Sequence, residues 1–261
     1  MARSKRSRSR RPYHPPEPGR TPGPALTPRA DGGPARRDGG SFPLLPVSLG
    51  GLGIGLLVIA FLFLNSNKPA PAELVVPAIA YGAENADMSL GSPTAKVTVT
   101  MWGDFQCPAC ATFARQREPQ LVSTYVATGK VKLVFRDFAF IGPESLQGAM
   151  AARCSGAQGH FWPYHGYLYA NQAATENSGT LTTARLDEIA RAVGLEMTAF
   201  DACLSGGATR PAVQADTAQA QQLGIQSTPT IVVGNQAFSA VPTWDQLSAV
   251  IEAALAAAAG G

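Results

Sequence analysis

The spacing of apolar residues changes several times along the chain. From residue 42 to residue 64 the sequence is FPLLPVSLGGLGIGLLVIAFLFL, 23 residues without a charge. About 20 apolar residues cross a bilayer core as a helix, so this run predicts one transmembrane segment. Residues 96–102, KVTVTMW, alternate instead, with β-branched residues at every second position. That pattern predicts a strand, ended by Gly103-Asp104. After Cys107 the helical spacing begins: Cys110, Phe113, Ala114, Arg117, Leu121 and Tyr125. It predicts a helix from Pro108 to about Ala127, kinked at Pro119. Residues 131–138, VKLVFRDF, alternate again. Strand, helix, strand is a unit that favours parallel pairing.

A helical block follows. Residues 144–158 carry Leu146, Met150, Ala151 and Cys154, and residues 161–171 are dense in aromatics. Residues 183–193 carry Leu186, Ile189, Ala190 and Val193; a shorter helix holds Phe200 and Leu204. Alanine and glutamine dominate residues 211–223. Ile231–Val233 then predicts a strand, Gly234-Asn235 a turn and Gln236–Ser239 its partner. Trp244–Ala258 closes the chain as a helix. The order β-α-β, helical block, β-β-α is an α/β arrangement. It predicts a four-stranded sheet with helices on both faces and the block, about residues 140–222, as an insertion. No internal repeat is visible.

Charge is unevenly distributed. Residues 1–41 hold ten Lys or Arg against three acids, and the remainder eleven against fifteen. The tail is rich in Pro, Gly, Ser and Arg with few large apolar residues, a composition expected to be disordered. A basic tail can bind nucleic acid. Followed directly by an apolar span, it reads instead as a cytoplasmic flank, positive side inward, and no nucleic-acid partner is expected. The lipid bilayer would hold residues 42–64, with everything after them exported. A cleaved signal peptide is the rival, but its apolar region is about 7–15 residues, and Ala70-Pro71-Ala72 is a poor cleavage site. The arginine pairs at 10–11 and 36–37 lack a twin-arginine context. Residues 65–91, rich in Pro and Ala, read as a semi-rigid linker, with Leu74 to Tyr81 apolar enough to pack on the domain. Residues 92–261 form the exported domain.

The chemistry centres on WGDFQCPACATF, residues 102–113. Pro108 suits a first helical position, where its missing N–H would have no partner. Cys107 then lies at a helix N-terminus, where free N–H groups and the helix dipole favour an anion. For cysteine that anion is the thiolate, the reactive form. Cys110, one turn on, can close a ring with Cys107 or resolve a mixed disulfide formed there. A metal clip needs about four ligands; Cys154 and Cys203, with His160 or His165, are the residues available. An inert disulfide is the third reading. C-x-x-C behind a strand and opening a helix is the redox context, and no metal is assigned.

DFQCPACATF, Ser227-Thr228-Pro229-Thr230, GHFWPYHGYLYANQ and the run from FDACL to TPT together resemble the DsbA-like thiol–disulfide oxidoreductases of the thioredoxin superfamily. The resemblance covers about 170 residues. It implies a thioredoxin fold with a helical insertion. Cys107 matches the attacking cysteine, Cys110 the resolving one, and Pro229 the cis-proline facing them. Such a proline turns the Thr228 backbone outward beside Cys107, where an unfolded secreted protein could pair with it. The resemblance also implies a quinone-linked membrane reoxidant of the DsbB or vitamin K epoxide reductase type. No organic cofactor is implied, because the sulfurs carry the electrons.

Strongly oxidising members often place histidine between the cysteines, where this chain has Ala109. Alanine gives no side-chain hydrogen bond to a thiolate, so Cys107 is expected near an ordinary thiol and the pair to be a weaker oxidant. Asp104 is a candidate proton relay for Cys110, set against an ordinary surface-loop role. An even cysteine count in an exported chain argues for a Cys154–Cys203 disulfide, with two buried free thiols as the alternative. Trp102 is expected to pack beneath the site, and His160 and His165 to be ordinary, partly exposed residues. Rival functions are a reductase or isomerase of the same fold, a metal-binding or chaperone module, and a scaffold acting through its basic tail.

Overall fold

Alternation along β1 (Val97–Gly103) turns Val97, Val99 and Met101 to one face of the sheet, and all three are buried. Trp102 points to the opposite face. The computed structural model describes residues 73–260, together with Gly55 and residues 57–60, which are helical. The expected tail and most of the expected membrane span therefore lie outside the described residues. Among the described residues, no helix is long and apolar enough to cross a membrane.

β1 runs parallel to β2 (Val131–Asp137), with Val97 opposite Val131 and Gly103 opposite Asp137. On its other side it pairs antiparallel with β3 (Thr230–Val233), which pairs antiparallel with β4 (Gln236–Phe238). The strand order is β2-β1-β3-β4. The parallel pair and the late hairpin are those the alternation predicts.

The single helix expected after Cys107 is instead three pieces. α1 (Pro108–Gln116) stops, α2 (Glu118–Leu121) restarts, and a π-helical turn (Val122–Val126) follows. Pro119 has no N–H to continue α1's ladder and would clash with the preceding turn. At the start of α2 the same proline costs nothing. The insertion comprises α3 (Pro143–Gly156), α4 (Phe161–Ala170), α5 (Thr183–Val193), α6 (Met197–Ser205) and α7 (Arg210–Gln222), and α8 (Trp244–Gly260) closes the fold. The ends of α5 are marked in sequence: Thr182 accepts a hydrogen bond from Arg185 N, and Gly194 leaves the helix at φ 86°.

One core joins the sheet to the insertion through Phe105, Phe113, Phe135, Phe161, Trp162 and Phe200. Across the sheet, Ala220 of α7 covers Trp102 and Phe138. The Cys154–Cys203 disulfide ties α3 to α6. Arg153 bridges Asp137 at the end of β2 and Asp216 on α7. Burial still lifts the Asp137 carboxyl to about 6, against the pull of Arg153.

Residues 73–91, expected as the end of a spacer, are docked on this body as a strap. Val75 and the Asn171 amide exchange two hydrogen bonds of 2.8 Å. Tyr81 donates to Glu118 at 2.5 Å. The Glu84 carboxylate accepts from Phe161 N and Trp162 N, which start α4 and have no partner within the helix. Leu90 exchanges backbone hydrogen bonds with Leu133 on the outer edge of β2. Leu74, Ile79 and Tyr81 pack against the core, as their apolarity predicts.

Candidate active site

Pro108 opens α1 and leaves Cys107 as its N-cap. Cys107 keeps 7 % of its surface exposed, and Cys110, one turn deeper, none. Both are free thiols. Opposite them, the Thr228–Pro229 peptide is cis. It precedes β3, and β3 lies beside β1, so the sheet brings residues 107 and 228 together. The Cys107 sulfur lies 3.2 Å from the Thr228 carbonyl oxygen, to which it donates when protonated. The structure thus gathers Cys107, Cys110, Thr228 and Pro229 at one place.

The two sulfurs are electrostatically unequal. The Cys107 thiol is lowered to about 6, first by a hydrogen bond from Cys110, then by the Thr228 side chain and the N–H groups of Cys110 and Ala109, against the opposing effect of burial. Cys110 is pushed well up, first by burial and then by Cys107. One sulfur is therefore a thiolate near neutral pH and the other holds its proton. This corrects the expectation of an ordinary thiol at Cys107. Ala109 lacks a side-chain donor, but its backbone N–H at the helix start serves the same anion.

Asp104 is not a surface residue; it has 1 % exposure. One carboxylate oxygen accepts from Gln106 N, the other from Phe140 N and Ile141 N. Burial raises its carboxyl while Gln106 N, Ser145 and the two loop N–H groups pull it down. The Asp104 backbone N–H pulls the Cys110 thiol down, against the larger effect of burial. The Asp104 carboxylate brackets the loop after β2, away from the bonding partners of the two sulfurs. Trp102 packs against Phe138 and Ala220, on the face away from Met101.

The thioredoxin family model matches residues 83–253, about two thirds of the chain. The chain belongs to the thioredoxin family. It is 30 % identical over 197 residues to a probable disulfide bond formation protein D of Bacillus cereus, covering 74 % of this chain and 87 % of that one. The crystal structure of oxidised BdbD from Bacillus subtilis superposes with a TM-score of 0.61 at 27 % identity, over 68 % of this chain and 98 % of that one. Wolbachia pipientis alpha-DsbA1 shares the fold, with a TM-score of 0.59 at 21 % identity, over 65 % and 91 % of the two chains. Within the thioredoxin superfamily, this chain is a DsbA-like protein thiol–disulfide oxidoreductase.

In this thioredoxin-family site, several contributors carry no motif. Tyr169 donates to Asp104 O at 3.2 Å. Gln172, just past the end of α4, donates to Phe105 O at 2.8 Å and Cys107 O at 3.0 Å. Gln106 donates to Ser145 Oγ and Asn177 Oδ1. These partners lie 39 to 71 residues apart in sequence, so no local pattern announces them. His165 departs most from expectation. It is fully buried, held near 3 by burial, and ringed by Phe105, Phe135, Phe161, Trp162 and Tyr169. A signal existed: Phe161 and Tyr169 lie four residues to either side, on the same helical face. His160 is half-buried. Cys154 and Cys203 are spent on each other. Among the described residues, no group of three or more His, Cys, Asp or Glu could hold a metal ion.

Proposed function

We propose that the chain is a membrane-anchored, extracytoplasmic oxidoreductase that introduces disulfides into exported proteins. The observation that carries the reading is the asymmetric pair: a stabilised thiolate at Cys107, a buried protonated Cys110, and the Thr228 carbonyl 3.2 Å from the outer sulfur. In the oxidised enzyme, a substrate thiolate attacks Cys107 Sγ and breaks the Cys107–Cys110 bond. Cys110 leaves with the electron pair and takes up a proton. A second substrate thiolate then attacks the substrate sulfur of the mixed disulfide. Cys107 departs as the thiolate its surroundings favour, the substrate leaves oxidised, and two electrons remain on the enzyme. The cis peptide offers the Thr228 backbone edge to the incoming chain.

A Cys107 value of about 6 lies between the roughly 7 of thioredoxin and the roughly 3.5 of DsbA. At pH 7 it stabilises the reduced enzyme by about 1.4 kcal/mol over an ordinary thiol, which is about 30 mV of oxidising power. Relatives named for disulfide bond formation support that direction. The Cys154–Cys203 bridge supports an oxidising compartment, and the basic flank before the apolar run supports an N-terminus in the cytoplasm. A quinone-linked membrane protein of the DsbB or vitamin K epoxide reductase type would reoxidise the pair. The deciding experiment is the reduction potential of Cys107–Cys110 in the purified chain, equilibrated in glutathione buffers and read by thiol trapping. The expected value lies between about −200 and −120 mV; a value near about −270 mV would make the protein a reductant.

A further inference from the structure

We propose that Gln172 is a positioning residue of the redox centre: its side-chain amide holds the turn that aims the backbone N–H groups of Ala109 and Cys110 at the Cys107 sulfur. The inference rests on Cys107–Cys110 being the reacting pair and is independent of the direction in which electrons flow.

Hydrogen bonds on both sides of the turn carry it. Gln172 Nε2 donates to Phe105 O at 2.8 Å and to Cys107 O at 3.0 Å. One NH2 group therefore spans the turn, gripping a peptide two residues before the attacking cysteine and the peptide just after it. The Cys107 carbonyl also receives Ala111 N at 3.2 Å, in the first turn of α1. Its orientation fixes how the helix starts, and so where the N–H groups of Ala109 and Cys110 point. Cys107 is the N-cap of α1, and those two groups lower its thiol. The same end of α4 is tied down from the other side. Arg115 Nε, on α1, donates to Tyr169 O at 2.9 Å, and Tyr169 donates to Asp104 O. Asp104 O in turn receives Cys107 N at 3.0 Å. The redox turn and the end of α4 are thus held by hydrogen bonds running in both directions. Gln172 is the side chain among them that bonds the Cys107 carbonyl.

The chemistry follows from what an amide can do and a carboxylate cannot. An N–H donor can hold and polarise both carbonyls at once. Alanine removes the grip. Glutamate has nearly the same shape, but it turns two hydrogen bonds into two oxygen–oxygen contacts and adds a negative charge. Asparagine keeps the donor but is one methylene shorter.

The test is the thiolate titration of Cys107 in the full chain, by ultraviolet absorbance and by alkylation rate against pH, for the parent, Gln172→Ala, Gln172→Glu and Gln172→Asn. Gln172→Ala is expected to raise the titration midpoint by about one unit, a tenfold fall in the thiolate-to-thiol ratio below it. At pH 7 the glutathione equilibrium should then move about fivefold toward the oxidised enzyme. Gln172→Glu should move both further in the same direction. If Gln172→Ala does not fold, Gln172→Asn is read the same way, with a smaller shift expected. A folded variant that melts earlier but keeps the parent's midpoint and equilibrium would overturn the proposal and leave Gln172 with a packing role alone. Each variant is compared with the parent, so a parent potential in the reductant range would refute disulfide formation without touching this inference.

Discussion

Glu118 has no exposed surface; Tyr81 occupies one carboxyl oxygen and the other has no partner. Burial lifts it from 4.5 to about 8, so it is protonated in the folded protein at neutral pH. His165 Nδ1 lies 3.7 Å from the Tyr81-bonded oxygen, and burial drops that ring from 6.5 to about 3, so it is neutral. The folded state binds Glu118's proton more tightly than the unfolded chain does, and stability falls as pH rises from 4.5 to about 8. It resists His165's proton, and stability falls as pH drops from 6.5 to about 3. The two slopes oppose each other between 4.5 and 6.5, and Glu118's alone of the two continues above 6.5. Glu118→Gln is expected to remove Glu118's share, so the variant should gain stability relative to the parent as pH rises from 4.5 to about 8. Melting temperatures of parent and variant across that range check it, and parallel curves would refute the assignment. At the redox pair, Cys110→Ser removes the resolving sulfur, so substrate should accumulate on Cys107. With Cys107 first loaded as its glutathione mixed disulfide, a reduced, unfolded substrate should attack Cys107 Sγ and expel glutathione. Reducible adducts on non-reducing gels are the expected readout, and their absence would count against Cys107 as the attacked sulfur.

Arg153 sets the strength of one joint between elements. Its guanidinium, 13 % exposed, bridges Asp137 on β2 and Asp216 on α7. Arg153→Met would leave those carboxylates without their shared counter-charge, at a cost of about 3–5 kcal/mol at neutral pH. Acid should reduce that cost, because a protonated Asp137 strands no charge. Urea unfolding at about pH 5 and about pH 7.5 reads both, and an equal loss at the two values would argue against Asp137 as the group left exposed. Elements were legible in the sequence wherever burial follows a simple period: β1, β2, the late hairpin and α5 lie close to where alternation, caps and turns put them. The break at Arg117 was visible as Pro119 but underread as a kink, because a proline can either bend a helix or restart one. Cys107, Cys110 and Pro229 were legible because each carries its chemistry within a short motif. Gln172, Glu118 and the Asp104 bracket were not. Their partners come from distant segments, and a polar residue between apolar neighbours reads alike whether it faces water or a buried acceptor.

At the scale of the molecule, the disulfide and the strap each tie down a different set of elements. The Cys154–Cys203 bridge closes a sequence separation of 49 residues. Replacing both cysteines with alanine should cost about 3–4 kcal/mol, through the entropy the unfolded chain regains. Denaturant midpoints would show the loss, while the Cys107 titration should not move; a shifted titration would mean the bridge also shapes the redox turn. A chain beginning at residue 92 would lose the Glu84 cap of α4 and the Leu90 cover of β2. It should unfold at lower denaturant than a chain beginning at residue 73, and equal midpoints would show the strap to be dispensable. The strap also has a mechanical consequence. A pull on residue 73 first loads the amide pair between Val75 and Asn171, then Tyr81, then Glu84, and reaches the sheet last. These attachments engage in series and can be peeled one by one. In force spectroscopy from the N-terminal side, a small early release should precede rupture of the body. Asn171 is the neighbour of Gln172, so tension reaches the residue beside the redox turn before it reaches any strand.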